Sequence, residues 1–191
     1  MRGRAGFVWS ERQHFNRYIE EMGIPCELIT PQMLATPFFR PEISCLIIPT
    51  GFANPAYSSI LPAVRASSSR IRRFVEEGGN LLVFGAAMDR PDAYDWLPFT
   101  VRYSHEYGPR NVTCIPSSRT GHIIDDYDPS SIECDGSFPT HEATCVGSAG
   151  DRAVLLEQNA GKGTIVVTCI HAFPSRTFLQ DFCSSGSCIR F

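Results

Sequence analysis

The chain has 191 residues, 43% of them hydrophobic and 19% charged, and a net charge of −3. A chain of this length fits one domain and buries about 70% of its unfolded surface, so it needs no metal or disulfide to fold. The apolar content excludes intrinsic disorder, and the weakly acidic balance gives no reason to expect a nucleic-acid partner.

Phe7-Val8-Trp9 reads as a short strand ending in Ser10, a good helix N-cap. Phe15, Tyr18, Ile19 and Met22 then fall at helical spacing across residues 11–22, and Gly23 and Pro25 close that helix. Residues 26–29 form a second strand, followed by Thr30-Pro31, a cap and first-turn pair. Residues 44–49 are an uninterrupted apolar run, the mark of a strand buried on both faces, and residues 50–55 are the loop beyond its carboxyl end. Ile71, Phe74 and Val75 give a helix over 67–77, closed by Gly78-Gly79, and residues 80–84 are a further apolar strand ending in Gly85-Ala86-Ala87. This alternation predicts a parallel sheet with right-handed crossovers. Ligands bind at the carboxyl ends of such strands, so Ser10, residues 50–54 and residues 85–89 are the places to look.

Residues 91–150 are rich in Pro, Gly, Ser, Asp and His, with short β-like pieces at 101–103, 112–115, 121–124 and 131–134. Residues 153–157 and 164–170 form a β-hairpin around a loop at 158–163, and 175–183 read as a last helix with Phe178, Leu179 and Phe182 inward. Eight cysteines are the compositional oddity, yet no Cys-x-x-Cys pair is present. The amino terminus lacks the apolar core of a signal peptide, and no stretch approaches a membrane span. A reducing cytoplasm is the expectation, with most thiols acting as small buried hydrophobes.

The runs Cys45-Leu46-Ile47-Ile48-Pro49-Thr50-Gly51 and Asn80-Leu81-Leu82-Val83-Phe84-Gly85, with the intervening helix into Gly78-Gly79, resemble the class I glutamine amidotransferase-like superfamily. The hairpin with Gly161-Lys162-Gly163 leading into Ile170-His171 is similar to that superfamily's last strands. The resemblance implies an α/β, flavodoxin-like three-layer sandwich with a mostly parallel central sheet and a C-terminal β-hairpin, one domain over 1–191 elaborated at about 91–150. It places Gly51 in the oxyanion loop, Gly85-Ala86-Ala87 at the nucleophile elbow and His171 at the histidine position. Ala87 therefore stands where active members carry cysteine, and Phe173 stands where they carry a carboxylate two residues after the histidine. Alanine offers no nucleophilic atom, so glutaminase chemistry cannot run at this elbow. Degenerate members, including trehalose-utilisation-type domains, share this pattern.

His171 is the one candidate catalytic residue, as an acid, a base or a ligand-orienting group, with a capping structural histidine as the plain alternative. The candidate ligand pocket comprises Ser10, Gly51, Gly85, Ala87, Asp89 and His171. Cys169 and His171 share a strand face, but a thiol inside an apolar strand is inert. Cys134, His141 and Cys145 are weak candidate metal ligands, because their Cys-x6-His-x3-Cys spacing matches no strong zinc signature. Asp125, Asp126 and Asp128 read as a solvated turn, and Arg65, Arg70, Arg72 and Arg73 as a solvated basic face.

The function expected is a non-glutaminase domain that binds a small ligand or a protein partner. The alternatives are an enzyme of another class using His171 with Asp89 or Glu142, and a structural subunit of a larger complex. No cofactor, nucleic acid or membrane is expected, and homo-oligomerisation is left open.

Overall fold

The computed structural model describes residues 3–191. In chain order its first half runs β1 (Ala5–Val8), α1 (His14–Glu21), β2 (Cys26–Ile29), α2 (Pro31–Ala35), β3 (Glu42–Ile43), β4 (Cys45–Ile48), α3 (Ile60–Ala66), α4 (Ser68–Glu76) and β5 (Asn80–Val83). Every residue of β1, β4 and β5 is buried, which is why β4 and β5 read as unbroken apolar runs. The second half runs β6 (Val101–Arg110), β7 (Thr113–Cys114), two 3-10 turns (Arg119–Ile124 and Pro129–Ser131), β8 (Ile132–His141), β9 (Thr144–Ala149), β10 (Arg152–Ala160), β11 (Gly163–Thr168), α5 (Arg176–Ser185) and β12 (Ile189–Arg190).

One ten-stranded sheet has the order β2-β1-β4-β5-β11-β10-β8-β6, with β9 and β7 branching from β10. The pairings from β2 to β11 are parallel, and those beyond β11 are antiparallel. The expected α/β alternation with a C-terminal hairpin is therefore present, in a sheet of mixed orientation. Right-handed crossovers put α1 on one face and α2, α3 and α4 on the other. Two hydrogen bonds tie these helices to their neighbours. Tyr18 Oη donates to the Pro174 carbonyl just ahead of α5 at 2.9 Å, and Ser67 Oγ at the start of α4 donates to the Leu34 carbonyl of α2 at 2.7 Å.

Three features depart from expectation for local reasons. Residues 121–124 are not β but the end of a 3-10 turn, because Ser118 caps it through the Thr120 amide. Pro62 disguises α3, although proline fits a first helical turn, where its missing N–H has no partner to lose. The β10–β11 turn is only Gly161-Lys162, with Ala160 paired to Gly163. Gly161 has φ +62, and the Lys162 amide reaches the Glu76 carbonyl of α4 at 3.1 Å.

The basic face is also less free than its sequence suggests. Arg65 pairs with Asp95 at 2.9 Å and Asp92 at 2.5 Å, tying the loop after β5 to α3. Arg70 reaches the Thr36 carbonyl behind α2 at 2.8 Å. Among the described residues, no helix is long and apolar enough to cross a membrane.

Candidate functional site

At the carboxyl ends of the parallel strands lies a cleft of about 700 Å³. Its floor is backbone from the parallel half: Thr50 and Gly51 after β4, and Ala87 after β5. Ala87 has φ +54 and is the only non-glycine residue with positive φ among those described. An alanine in this region is strained, and the turn persists because its surroundings hold it. Asn54 Nδ2 donates to the Ala87 carbonyl at 3.2 Å, and the Asn54 amide donates to the Gly51 carbonyl at 3.1 Å, so one residue joins both loops. No helix follows Ala87; residues 88–100 are turns and bends.

Gly51 also adopts a left-handed φ of +83, and its amide donates to the Gly85 carbonyl at 3.0 Å. That donor is committed to the neighbouring loop, so it is not free to receive an oxyanion. Gly85 does not line the cleft but lies beneath it. A Cβ there would collide with both carboxylate oxygens of Asp135, so only glycine lets that side chain settle on the elbow backbone.

Asp135 is a cleft residue that the sequence does not single out. It is 1% exposed, and neither carboxylate oxygen has a hydrogen-bond partner. Its backbone is firmly held: the amide donates to the Cys169 carbonyl at 2.8 Å, and its own carbonyl accepts from Tyr103 Oη at 2.6 Å. Burial pushes its carboxyl up to about 7. A buried carboxylate without a partner is costly, so a group so placed beneath a cleft marks a candidate site.

The strand pairing explains how the polar wall is built. His105 opposes Gly136 and Gly108 opposes Cys134, so Glu106 and Tyr107 on β6 both face Asp135 alone on β8. This bulge bends β6 and redirects its side chains, a device common beside functional sites. His105 Nδ1 lies 2.7 Å from the Asp135 carbonyl, and a carbonyl only accepts, so Nδ1 carries the proton and Nε2 is free. His171 joins the same cleft, its ring edge-to-face with Tyr107 at 5.5 Å. Trp9, Tyr57 and Tyr107 supply aromatic lining. A second cavity of about 200 Å³ shares Trp9, Thr50 and His171, and extends over Phe15 and Phe173. Phe173 stacks on Phe15 at 4.7 Å, so this position packs against α1 rather than orienting His171.

Of the pocket residues named from sequence, Gly51, Ala87 and His171 line the cleft, with Gly85 supporting it. Ser10 is exposed and lies outside it; its neighbour Trp9 takes that place. Asp89 is also outside, because its Oδ1 accepts from the His105 amide at 2.7 Å and anchors the start of the bulge. Glu142 is not near His171 either: it accepts from the Thr100 amide at 2.6 Å, at the far end of β8. Asp89 and Glu142 thus each hold a backbone amide, and neither is among the residues that line the cleft with His171.

The candidate metal ligands do not converge. Cys134 and His141 sit at opposite ends of extended β8, about 20 Å or more apart along the strand. His141 Nδ1 binds the Ala143 carbonyl at 2.8 Å, and Cys145 Sγ donates to the Gly147 carbonyl at 3.4 Å. No group of three ligating side chains occurs among the described residues. Cys169 Sγ donates to the Gly136 carbonyl at 2.8 Å, and burial pushes its pKa well up, so no dyad forms with His171.

No protein-family profile matches the chain, and no curated protein matches it. Solved structures do match over nearly its whole length. One is described as a proposed GMP synthase subunit from Thermoplasma acidophilum, with a TM-score of 0.64, 13% identity, and coverage of 96% of this chain and 94% of that one. A cytoplasmic protein of Salmonella typhimurium LT2 matches with a TM-score of 0.58, 13% identity and 95% coverage of both chains. A cold-adapted β-galactosidase from Rahnella sp. R3 matches with a TM-score of 0.59 and 11% identity, over 96% of this chain but only 30% of that one. At such identities the likeness defines the fold: a mixed α/β domain of the kind these proteins contain. It carries no activity with it.

Proposed function

We propose that this protein is a glutamine amidotransferase-like domain that has lost glutaminase chemistry and binds a small molecule at the strand ends. The observation that carries this reading is the buried, unpartnered Asp135 carboxylate in a cleft floored by Ala87. Three further features support it. The positive φ of Ala87 just after β5 matches the strained turn of a nucleophile elbow, without its helix or its nucleophile. The Gly51 amide is already bonded, and the residue two after His171 packs against α1. The likeness to a protein described as a GMP synthase subunit, over almost the full chain, fits the same ancestry.

A thermal-shift screen of small metabolites, run on wild type and Asp135→Asn, tests the binding. Stabilising compounds whose effect vanishes in the variant support the reading; compounds that stabilise both equally contradict it. For the lost chemistry, Ala87→Cys should show no glutaminase turnover above the wild type. Robust hydrolysis of glutamine by that variant would overturn it. A second reading, acid–base catalysis, is favoured by one observation: both His105 and His171 line the cleft, and His105 presents a free Nε2.

A further inference from the structure

The cleft continues into the smaller cavity of about 200 Å³, and Trp9, Thr50 and His171 line both. The two compartments differ in chemistry. The inner one is walled by rings: Phe15 stands edge-to-face to Phe7 at 5.4 Å and to Phe84 at 5.5 Å, and stacks on Phe173 at 4.7 Å. No acidic residue, lysine or arginine lines it among the described residues. An apolar cavity of about 150 Å³ holds benzene, so a single aromatic ring fits this one and extends its edge-to-face set. The outer compartment carries the hydrogen-bonding groups. His105 is fixed there because its Nδ1 proton goes to the Asp135 carbonyl at 2.7 Å, which leaves Nε2 as an acceptor. An acceptor at that point selects a ligand that donates. No lysine or arginine lines the outer compartment among the described residues, and its one carboxylate, Asp135, packs on the Gly85 backbone beneath the floor with no accessible oxygen. A charged head would leave water without a counter-ion to touch, which is costly, whereas a hydroxyl needs only the one imidazole.

Resting on the reading of this cleft as a ligand site, we infer that its ligand is an uncharged aromatic alcohol. The ring sits in the inner cavity against Phe15 and Phe173, and the hydroxyl, carried past Trp9 and His171, donates to Nε2 of His105 in the outer one.

2-Phenylethanol, its methyl ether, phenylacetate and 2-phenylethylammonium share a phenyl ring on a short arm and differ in the head: a neutral donor, a neutral group without a donor, an anion and a cation. Each is titrated into the full chain at pH 8, where imidazole is neutral, with the His105 and His171 ring signals followed by NMR. The alcohol is expected to move both signals and to bind about fivefold more tightly than the other three, the worth of one hydrogen bond. In His105→Phe, which keeps a ring but removes the acceptor, the alcohol is expected to bind no better than the ether. In Phe173→Ala its binding is expected to weaken by a similar factor. Equal or tighter binding of any of the other three in the wild type overturns the uncharged donor head while leaving the cleft a binding site. An alcohol preference that survives in His105→Phe overturns the role of that imidazole, and unchanged affinity in Phe173→Ala overturns the seat of the ring. If none of the four moves the imidazole signals, the ligand-site reading falls with the inference.

Discussion

In the parallel half of the sheet, β1, β4 and β5 expose no residue, and their side chains are apolar except for the hydrogen-bonded Asn80. In the antiparallel half, β6 alternates buried and exposed positions at its start and stays largely open beyond, and β8 buries Asp135 among otherwise small or apolar neighbours. The cleft lies where the two meet. The parallel half gives it the loop residues Thr50, Gly51 and Ala87 with the rings of Trp9 and Tyr57, while the antiparallel half gives it Asp135, His105 and Tyr107. Ala87 offers no reactive side chain, and the polar groups Asp135 and His105 come from the antiparallel strands.

That division can be broken most forcefully in the core. Leu82→Ala removes a fully buried side chain of β5 and should cost about 2–5 kcal/mol, whereas Tyr107→Ala on the rim should stay within about 0.5 kcal/mol. Chemical denaturation of both variants checks the contrast; comparable losses would erase it.

The next effect has the opposite sign. The Asp135 carboxyl is raised from 3.8 to about 7, so between those values the folded state holds more protons than the unfolded chain. Stability therefore declines as pH rises through that window and flattens above it. Asp135→Asn should remove this contribution and stabilise the protein by about 1–3 kcal/mol at pH 8. Melting curves from pH 4 to 8 decide it; a variant that is less stable at pH 8 contradicts the account.

Backbone strain gives the smaller effects. Gly51→Ala forces a side chain into φ +83 with Tyr57 only 3.2 Å away, and should cost about 1–2 kcal/mol. Ala87→Gly relieves the elbow and should gain up to about 1 kcal/mol. If Ala87→Gly destabilises instead, the elbow is not strained.

The parallel half was legible in the sequence because double burial leaves an unambiguous record: residues 44–49 and 80–84 admit no polar side chain except at their ends. Gly51, Ala87 and His171 were legible for the same reason, since each closely follows such a run or, for His171, the last apolar strand. Asp135 was hidden by its surroundings. Asp135-Gly136 reads locally as a turn, and the segment from Pro91 is dense in residues that favour loops. The structure instead makes Asp135-Gly136 the centre of a ten-residue strand, because β6 pairs along one side and Cys169-Ile170 and β10 hold the other. Tertiary pairing overrode local preference, and a bulge two residues wide on the partner strand cannot be read from one sequence. Asp89 and Ser10 were misplaced because position after a strand says nothing about which way a side chain is drawn.

The reading of the cleft rests on the Asp135 carboxylate, which is buried and has no hydrogen-bond partner on either oxygen. Its most direct measurement is the titration of the Asp135 side-chain carboxyl by 13C NMR, assigned with Asp135→Asn. A midpoint near 7 is expected, because burial disfavours the charged form. A midpoint near 4, that of a free carboxyl, would contradict this reading.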